Sequence, residues 1–210
     1  FEIEASIGEE TKKAIVAALE FSAMNWHLQL LGPEANVFPF QGQHARAAIQ
    51  EASEDIQRRC IYGHNGWRKI DGEWFYLHAG GAIGKDGFTD RFEIDLGQDR
   101  LNYYSLPVPP TGDRLREAIR ASLDFIGVAP LSVTFPLLAA AYRAPLSEVL
   151  PAEFSIHLEG LTGTQKTELT ALVQAHFGKG FNGSNLPGNW SSTASSLEAK
   201  AFVVKDAVFC

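Results

Sequence analysis

The stretch that decides the fold covers residues 153–176 and reads EFSIHLEGLTGTQKTELTALVQAH. Its opening run, Phe154–Leu158, is rich in strand-forming residues. Two glycines then mark a tight turn over Gly160–Gln165. After Lys166, apolar residues recur at the three- and four-residue spacing of a helix. The stretch therefore predicts a strand, a glycine-containing loop and a helix in direct succession.

This order of elements, with Lys166 and Thr167 leading into the helix, is typical of loops that bind nucleotide phosphates. Backbone N–H groups of the loop and of the helix N-terminus point at the anion, and the lysine adds a full positive charge. The hydroxyl of Thr167 lies where a Mg²⁺ ligand is needed. Lys166 and Thr167 are therefore the predicted catalytic residues, and Thr167 is the predicted Mg²⁺ ligand.

The motif departs from the phosphate-loop pattern at one position. In G-x-x-x-x-G-K-[ST], Gln165 stands where the second glycine belongs, and Gly163 supplies a flexible point inside the loop instead. Glycine serves such loops through positive φ or through close approach of the backbone to phosphate. If Gln165 has a helix-like φ, it fits without strain. A plain strand–turn–helix corner with a solvated Lys166 remains the alternative.

The composition is that of an ordinary globular protein. The chain has 210 residues, 45% of them hydrophobic, and a formal net charge of −7. This charge argues against a surface coated in basic residues for nucleic acid, but it is compatible with a local basic patch. Two cysteines, no signal-peptide pattern and no apolar run of membrane-spanning length predict a cytoplasmic protein with no membrane partner.

A proline-rich connector at 106–112 is the predicted internal boundary. Residues 1–105 are expected to form N-terminal helices and a small antiparallel β unit. Residues 113–210 are expected to form the first part of a phosphate-loop domain, so that the fold class is α/β with an α+β N-terminal part. Because residues 207–210 read as the opening of an apolar strand, we expect a fragment, cut before the acidic residue that completes a Mg²⁺ site.

Periodicity and turn signals predict the other elements. Helical spacing predicts helices at 9–31, 43–59, 114–126, 136–142 and 197–204. Strand formers separated by Asn-Gly or Asp-Gly turns predict short strands at 60–62, 67–70, 74–78 and 91–96, with a glycine-rich loop at 80–87.

Two groups of aromatic and polar residues have a functional and a structural interpretation. Trp67, Trp74, Phe75 and Tyr76 form either a stacking platform for bases or the core of the β unit, and the lack of interleaved basic residues favours the core. A DNA or substrate contact near the nucleotide is possible at Trp190, Ser191, Ser192 and Thr193. A capped helix entrance is the favoured interpretation of this second group.

Four motifs carry a family resemblance. They are 64–84 (HNGWRKIDGEWFYLHAGGAIG), 133–146 (VTFPLLAAAYRAPL), 160–168 (GLTGTQKTE) and 189–193 (NWSST). Together they resemble a bacterial domain-of-unknown-function family of predicted ATPase domains in Cch-type helicases of mobile elements. The resemblance covers about residues 35–210.

The resemblance implies a P-loop ATPase of the AAA+ or RecA-like type, an αβα sandwich acting as a DNA helicase or replication-initiation motor. The expected cofactors are ATP and Mg²⁺, and the expected partners are DNA and further copies of the chain in a homo-oligomeric ring. The residues implied to bind the nucleotide are Gly160, Leu161, Thr162, Gly163, Thr164, Gln165, Lys166 and Thr167.

Two parts of such a motor are not expected within this sequence. The family's Walker-B acid would follow Cys210, and an arginine finger would come from a neighbouring subunit. A catalytically weak or inactive nucleotide-binding scaffold, or a DNA-binding adaptor, is therefore the alternative function.

Overall fold

The computed structural model describes residues 1–7, 9–53, 56, 60–97, 99–152, 154–189 and 191–210. The chain divides into two compact units, Phe1–Arg59 and Cys60–Cys210. The sequence suggested a boundary at 106–112 instead. Residues on both sides of that connector share one core, in which Tyr104 lies together with Leu137 and Val173. Packing across the connector therefore joins the β unit to the helices that follow it.

The first unit is a hairpin followed by three helices. Strands β1 (Glu2–Ile7) and β2 (Glu10–Ile15) pair antiparallel, with Glu4 opposite Lys13. The helices are α1 (Ala18–Ala23), α2 (Trp26–Leu31) and α3 (Gly42–Ala52). The small core of this unit consists of Val16, Phe21, Met24 and Trp26.

The helix predicted over 9–31 is wrong in its first part. Residues 10–15 form β2 because the alternating segment 2–7 lies opposite them and satisfies their backbone hydrogen bonds. Helical structure begins at Ala18, and α1 ends at Ala23, because its C-cap residue Met24 has φ +52°. Two short helices therefore replace the long one.

The second unit contains a four-stranded antiparallel sheet and a separate two-stranded parallel pair. The sheet runs in chain order through β4 (Gly66–Ile70), β5 (Glu73–His78), β6 (Gly81–Gly84) and β7 (Gly87–Thr89). The parallel pair consists of β3 (Ile61–Tyr62) and β8 (Glu93–Ile94). The predicted strands at 67–70 and 74–78 are confirmed, whereas the predicted strand at 91–96 contributes only Glu93 and Ile94.

The predicted loop at 80–87 is wrong, because its residues form β6 and the start of β7. Two of its glycines lie against aromatic rings: a Cβ on Gly84 would be 2.7 Å from the Phe75 ring, and one on Gly81 would be 2.9 Å from the Phe88 ring. The glycines therefore mark close contact between backbone and ring inside a sheet rather than a flexible connection.

The helices of the second unit follow the sequence pattern closely. They are α4 (Gly112–Asp124), α5 (Leu131–Arg143), α6 (Lys166–Gln174) and α7 (Ala194–Val204), with 3₁₀ helices at Asp99–Tyr103, Phe125–Val128, Ala144–Leu146 and Ala175–Phe177. The prediction over 43–59 is confirmed as α3 up to Ala52, and its residues 54, 55 and 57–59 lie outside the described residues. No helix in the described part of the chain is long and apolar enough to cross a membrane.

The strand predicted at Phe154–Leu158 is absent from the described residues, which is a correction to the expected fold. The Phe154 side chain is 63% exposed and only Leu158 packs against the main core. The guanidinium of Arg143 lies 5.3 Å from the centre of the Phe154 ring. A segment counts as a strand only when it pairs with a neighbouring strand, and no strand of the described residues pairs with Phe154–Leu158. The structure is therefore a mixed α/β arrangement of small sheets and helices.

The aromatic residues of β4 and β5 lie mainly in the core, as expected. Phe75 and Tyr76 are buried, and the Trp67 indole N–H donates to the Pro145 carbonyl at 2.7 Å. Trp74 differs, since its side chain is 46% exposed. A platform of four stacked rings for bases is therefore not formed.

A buried carboxylate joins the sheet to the helices. Asp206, which is 4% exposed, accepts hydrogen bonds from the Trp67 backbone N–H and the Ser147 hydroxyl, both at 2.7 Å. The Tyr76 hydroxyl donates to the backbone carbonyl of Asp206 at 2.8 Å. A buried polar group that loses its partner costs about 1–3 kcal/mol. These bonds therefore fix β4 and β5 against the segment that follows α7.

Replacing Gly66 with alanine should strongly destabilise the second unit. Gly66 has φ +95°, and an added Cβ would lie 2.4 Å from Asp206 Oδ2. We expect the free energy of unfolding, measured by urea denaturation, to fall by about 3 kcal/mol or more. Gly72→Ala is the matched control, since φ is +87° but nothing lies within 4 Å of the added Cβ. The free energy of unfolding of Gly72→Ala should fall by about 1 kcal/mol. Equal losses in the two variants would contradict the importance of the contact with Asp206.

Strand β5 ends in a buried histidine whose tautomer is fixed by its neighbours. Nδ1 of His78 accepts from the backbone N–H of Gly80 at 3.1 Å and of Leu106 at 3.3 Å. Nδ1 therefore carries no proton, and Nε2 carries the hydrogen of the neutral ring. Burial lowers the pKa of His78 below its ordinary value of 6.5. Protonation at Nδ1 would break both hydrogen bonds.

This histidine should make the second unit less stable in acid. Because the folded pKa of His78 is lowered, the unfolded chain takes up the proton first as the pH falls. The stabilisation is complete above the unfolded pKa of about 6.5 and is lost as the pH falls below it. We expect a slope of up to about 1.4 kcal/mol per pH unit in urea unfolding. His78→Asn keeps a hydrogen-bond acceptor but does not titrate, so the dependence of its unfolding free energy on pH should be shallower. An unchanged slope would refute the assignment of this pH dependence to His78.

Candidate functional site

The predicted phosphate loop leads directly into α6. Residues 162–164 form a turn, Gln165 occupies the N-cap position, and Lys166 is the first helical residue. Gly163 has φ +89° with open space where a Cβ would be. The loop and helix are therefore arranged in the predicted order, although the strand expected before them is absent from the described residues.

Gln165 does not have the helix-like φ that would let it fit without strain. Its backbone lies in the left-handed region, with φ 56° and ψ 27°. A non-glycine residue costs about 1–2 kcal/mol in this conformation, whereas glycine adopts it freely. The position at which the phosphate-loop pattern has its second glycine therefore has the backbone that favours glycine.

The ammonium group of Lys166 folds back over the loop. Its Nζ donates to the carbonyl oxygens of Gly160 at 2.7 Å and Leu161 at 2.9 Å, and it lies 3.4 Å from the Thr164 hydroxyl. The Thr164 hydroxyl in turn donates to Leu161 at 2.8 Å. These partners are neutral, so within the part of the chain that the structure describes no carboxylate pairs with the ammonium, and its positive charge is available to an anion.

The first turn of α6 has free donors for an anion. The N–H groups of Lys166, Thr167 and Glu168 have no intrahelical acceptor, because they belong to the first turn of the helix. The Gln165 side chain makes no capping hydrogen bond. Positive charge at a helix N-terminus and free N–H groups attract phosphate. The donors therefore fit a phosphate group.

The fit to Mg²⁺ rests on Thr167 alone. No group of three or more His, Cys, Asp or Glu side chains that could hold a metal ion occurs among the residues the structure describes. Mg²⁺ commonly keeps several water ligands and takes one or two protein oxygens together with phosphate oxygens. The exposed Thr167 hydroxyl fits that limited role.

A glycine-rich loop, residues 178–189, packs against the first turn of α6. A Cβ on Gly183 would lie 2.0 Å from Oε1 of Glu168. Periodicity and turn signals in the sequence do not place this loop beside the phosphate loop. Its glycines were the available signal, since Gly178 and Gly180 also lie too close to neighbouring atoms for a Cβ, and a Cβ on Gly188 would be crowded at 3.0 Å from the Cys210 carbonyl oxygen.

The second predicted contact segment has a local structural role. The Asn189 side-chain oxygen accepts from the backbone N–H of Ser191 at 2.9 Å and from its hydroxyl at 2.6 Å, and it lies 3.3 Å from the Ser192 hydroxyl. Thr193 caps α7 by accepting from the Ser196 N–H at 3.2 Å. Trp190 lies outside the described residues. The favoured prediction of a capped helix entrance is therefore confirmed at Thr193, while Ser191 and Ser192 are bound by the Asn189 side chain.

The structure brings some predicted residues together and leaves others apart. Gly160, Leu161, Thr164 and Lys166 form one hydrogen-bonded group.

Comparison of the chain with protein-family models, with curated proteins and with solved structures gives no match. The geometry of this loop therefore carries the functional argument.

Replacing Gln165 with glycine should stabilise the chain. Gln165→Gly removes the left-handed strain at that residue but increases the entropy of the unfolded chain. The expected net gain in the free energy of unfolding is about 0.5–1 kcal/mol. Ala118→Gly, in the exposed middle of α4, is the control and should lose a similar amount. A loss at both positions would show that Gln165 is not strained.

Proposed function

We propose that residues 160–167 bind the phosphates of ATP together with Mg²⁺, and that the chain is part of an ATP-hydrolysing motor acting on DNA. The observation that supports this proposal best is the Lys166 ammonium group, held over the loop by the Gly160 and Leu161 carbonyls beside an uncapped helix N-terminus. The family resemblance adds the expected partner, DNA, and the expected assembly, a homo-oligomeric ring.

Each residue of the site has a defined role in this proposal. The N–H groups of the first turn of α6 orient the phosphates, and Lys166 exchanges two neutral carbonyls for charged phosphate oxygens. Mg²⁺, when bound, neutralises charge on the phosphate oxygens. The Thr167 hydroxyl would be a ligand of that ion. Because a phosphate oxygen carries negative charge and a carbonyl oxygen does not, the ammonium binds phosphate more strongly, and the exchange favours binding.

Replacing Lys166 should weaken nucleotide binding. A hydrogen bond to a charged group contributes about 1.5–3 kcal/mol, so Lys166→Ala should raise the Kd for Mg–ATP by about 10- to 100-fold. Titration with a fluorescent ATP analogue measures this change. Lys69→Ala removes the same charge from β4 and is the matched control.

The outcomes of this titration are distinct. Loss of affinity in Lys166→Ala with unchanged affinity in Lys69→Ala supports the phosphate loop. Equal affinities in both variants and the wild-type chain, with unchanged thermal unfolding, would refute it.

A nucleotide-binding scaffold without turnover is the second candidate function. The left-handed Gln165, at a position where glycine is preferred, favours a site that binds nucleotide but catalyses poorly. Phosphate release by the full-length protein, measured with and without single-stranded DNA, separates the two functions. Stimulation by DNA supports the motor, whereas binding without stimulated release supports the scaffold.

A further inference from the structure

Two cationic side chains converge on one turn of the glycine-rich loop 178–189. Nη1 of Arg100 donates to the Leu186 carbonyl at 2.7 Å, and Nζ of Lys200 donates to the Pro187 carbonyl at 2.8 Å. These two carbonyls belong to consecutive residues, so the guanidinium and the ammonium lie on the same small patch. One cation comes from the 3₁₀ helix Asp99–Tyr103 and the other from α7.

The charge of this patch is not neutralised within the described residues, in which neither cation forms an ion pair. Glu198 is close in sequence to Lys200, but residues two apart on an α-helix point about 200° away from each other. Glu168 contacts the loop at Gly183, several residues from the turn. Arg100 is exposed and Lys200 is half-buried. Both cations therefore keep N–H donors for an anion.

An aromatic ring lies on the same side of the 3₁₀ helix as Arg100. A 3₁₀ helix has three residues per turn, so the side chains of Arg100 and Tyr103 are eclipsed. The Tyr103 side chain is 42% exposed, and its ring is nearly perpendicular to the Phe181 ring, with centres 5.9 Å apart. A partly exposed ring that its neighbours hold in place can stack on a nucleic-acid base.

The loop that positions these groups is fixed by its own hydrogen bonds. The Asn185 side-chain oxygen accepts from the Asn182 N–H at 2.7 Å, and the Asn182 side-chain oxygen accepts from the Ser184 N–H at 2.9 Å. A Cβ on Gly178 would lie 1.7 Å from the Tyr103 carbonyl oxygen, so backbone contacts backbone there. The patch is therefore pre-organised, which reduces the entropy lost on binding.

We propose that Arg100, Lys200 and Tyr103 form a binding site for single-stranded nucleic acid. The two cations contact backbone phosphates, and the Tyr103 ring stacks on an unpaired base. The inference rests on the proposed function in one respect, the choice of DNA as partner, and it requires no nucleotide. Single strands are favoured over duplex because only an unpaired base exposes its face to the ring.

The test is fluorescence anisotropy with a labelled 20-nucleotide oligo(dT) and no ATP. The double variant Arg100→Gln/Lys200→Gln should lose about tenfold or more in affinity at low salt. The slope of log affinity against log salt should become shallower by about 1.4, at about 0.7 per phosphate contact for single strands. Arg100→Lys/Lys200→Arg keeps both charges and should retain binding.

Matched controls separate the patch from a general charge effect. Lys85→Gln/Arg116→Gln removes two cations that are already paired with Glu73 and Asp113, and it should bind as well as wild type. Tyr103→Leu should lose about tenfold, whereas Tyr103→Phe should retain stacking. Equal losses in the two double variants, or no binding by the wild-type chain, would overturn the proposal.

Competition identifies the ligand and separates this site from the phosphate loop. Unlabelled oligo(dT) should displace the probe, and duplex DNA should do so poorly. Displacement by inorganic phosphate at the same phosphate concentration would overturn the nucleic-acid assignment. Lys166→Ala should keep oligo(dT) binding, and Arg100→Gln/Lys200→Gln should keep Mg–ATP binding. Each proposal can therefore fail while the other stands.

Discussion

The second unit depends on the buried carboxylate of Asp206. This group accepts from a strand backbone and from the Ser147 hydroxyl, and its own backbone carbonyl accepts from Tyr76. A buried anion is tolerated only when hydrogen bonds replace its lost hydration. The Lys205 ammonium, 3.8 Å away, adds a favourable charge. The sheet, the end of α5 and the end of α7 therefore have one arrangement in which this carboxylate is satisfied.

Close backbone approach is the second constraint, and it determines where the glycine-rich loop lies. Gly178 and Gly180 contact Tyr103, Gly183 contacts Glu168, and Gly188 lies against Cys210, each at a distance that excludes or crowds a Cβ. The loop is therefore fixed between the 3₁₀ helix, the first turn of α6 and the C-terminal residues. Burial in this region also raises the pKa of the Cys210 thiol to about 11, so the thiol stays protonated at neutral pH.

The candidate phosphate site combines a favourable charge arrangement with local strain. Lys166 and the uncapped first turn of α6 attract an anion, while Gln165 is held in a conformation that glycine adopts at no steric cost. Strain at a loop residue persists only where surrounding contacts maintain it. The net charge of −7 does not describe the local charge at Lys166, Arg100 and Lys200. Each of these cations donates to neutral carbonyl groups, which leave its positive charge in place. Local basic patches are thus compatible with an acidic chain.

The sequence by itself determined the features that depend on near neighbours along the chain. Helical spacing located α4 to α7, and Asp-Gly located the turn between β4 and β5, because these signals act within a few residues. It also placed Lys166 and Thr167 at the start of a helix after a glycine loop. Only the tertiary structure decided that residues 10–15 pair as a strand, that Phe154–Leu158 does not, and that 81–89 form a hairpin. The partner of a strand and the hydrogen bonds of Arg100 and Lys200 to the loop 178–189 depend on tertiary contacts, which local periodicity does not encode.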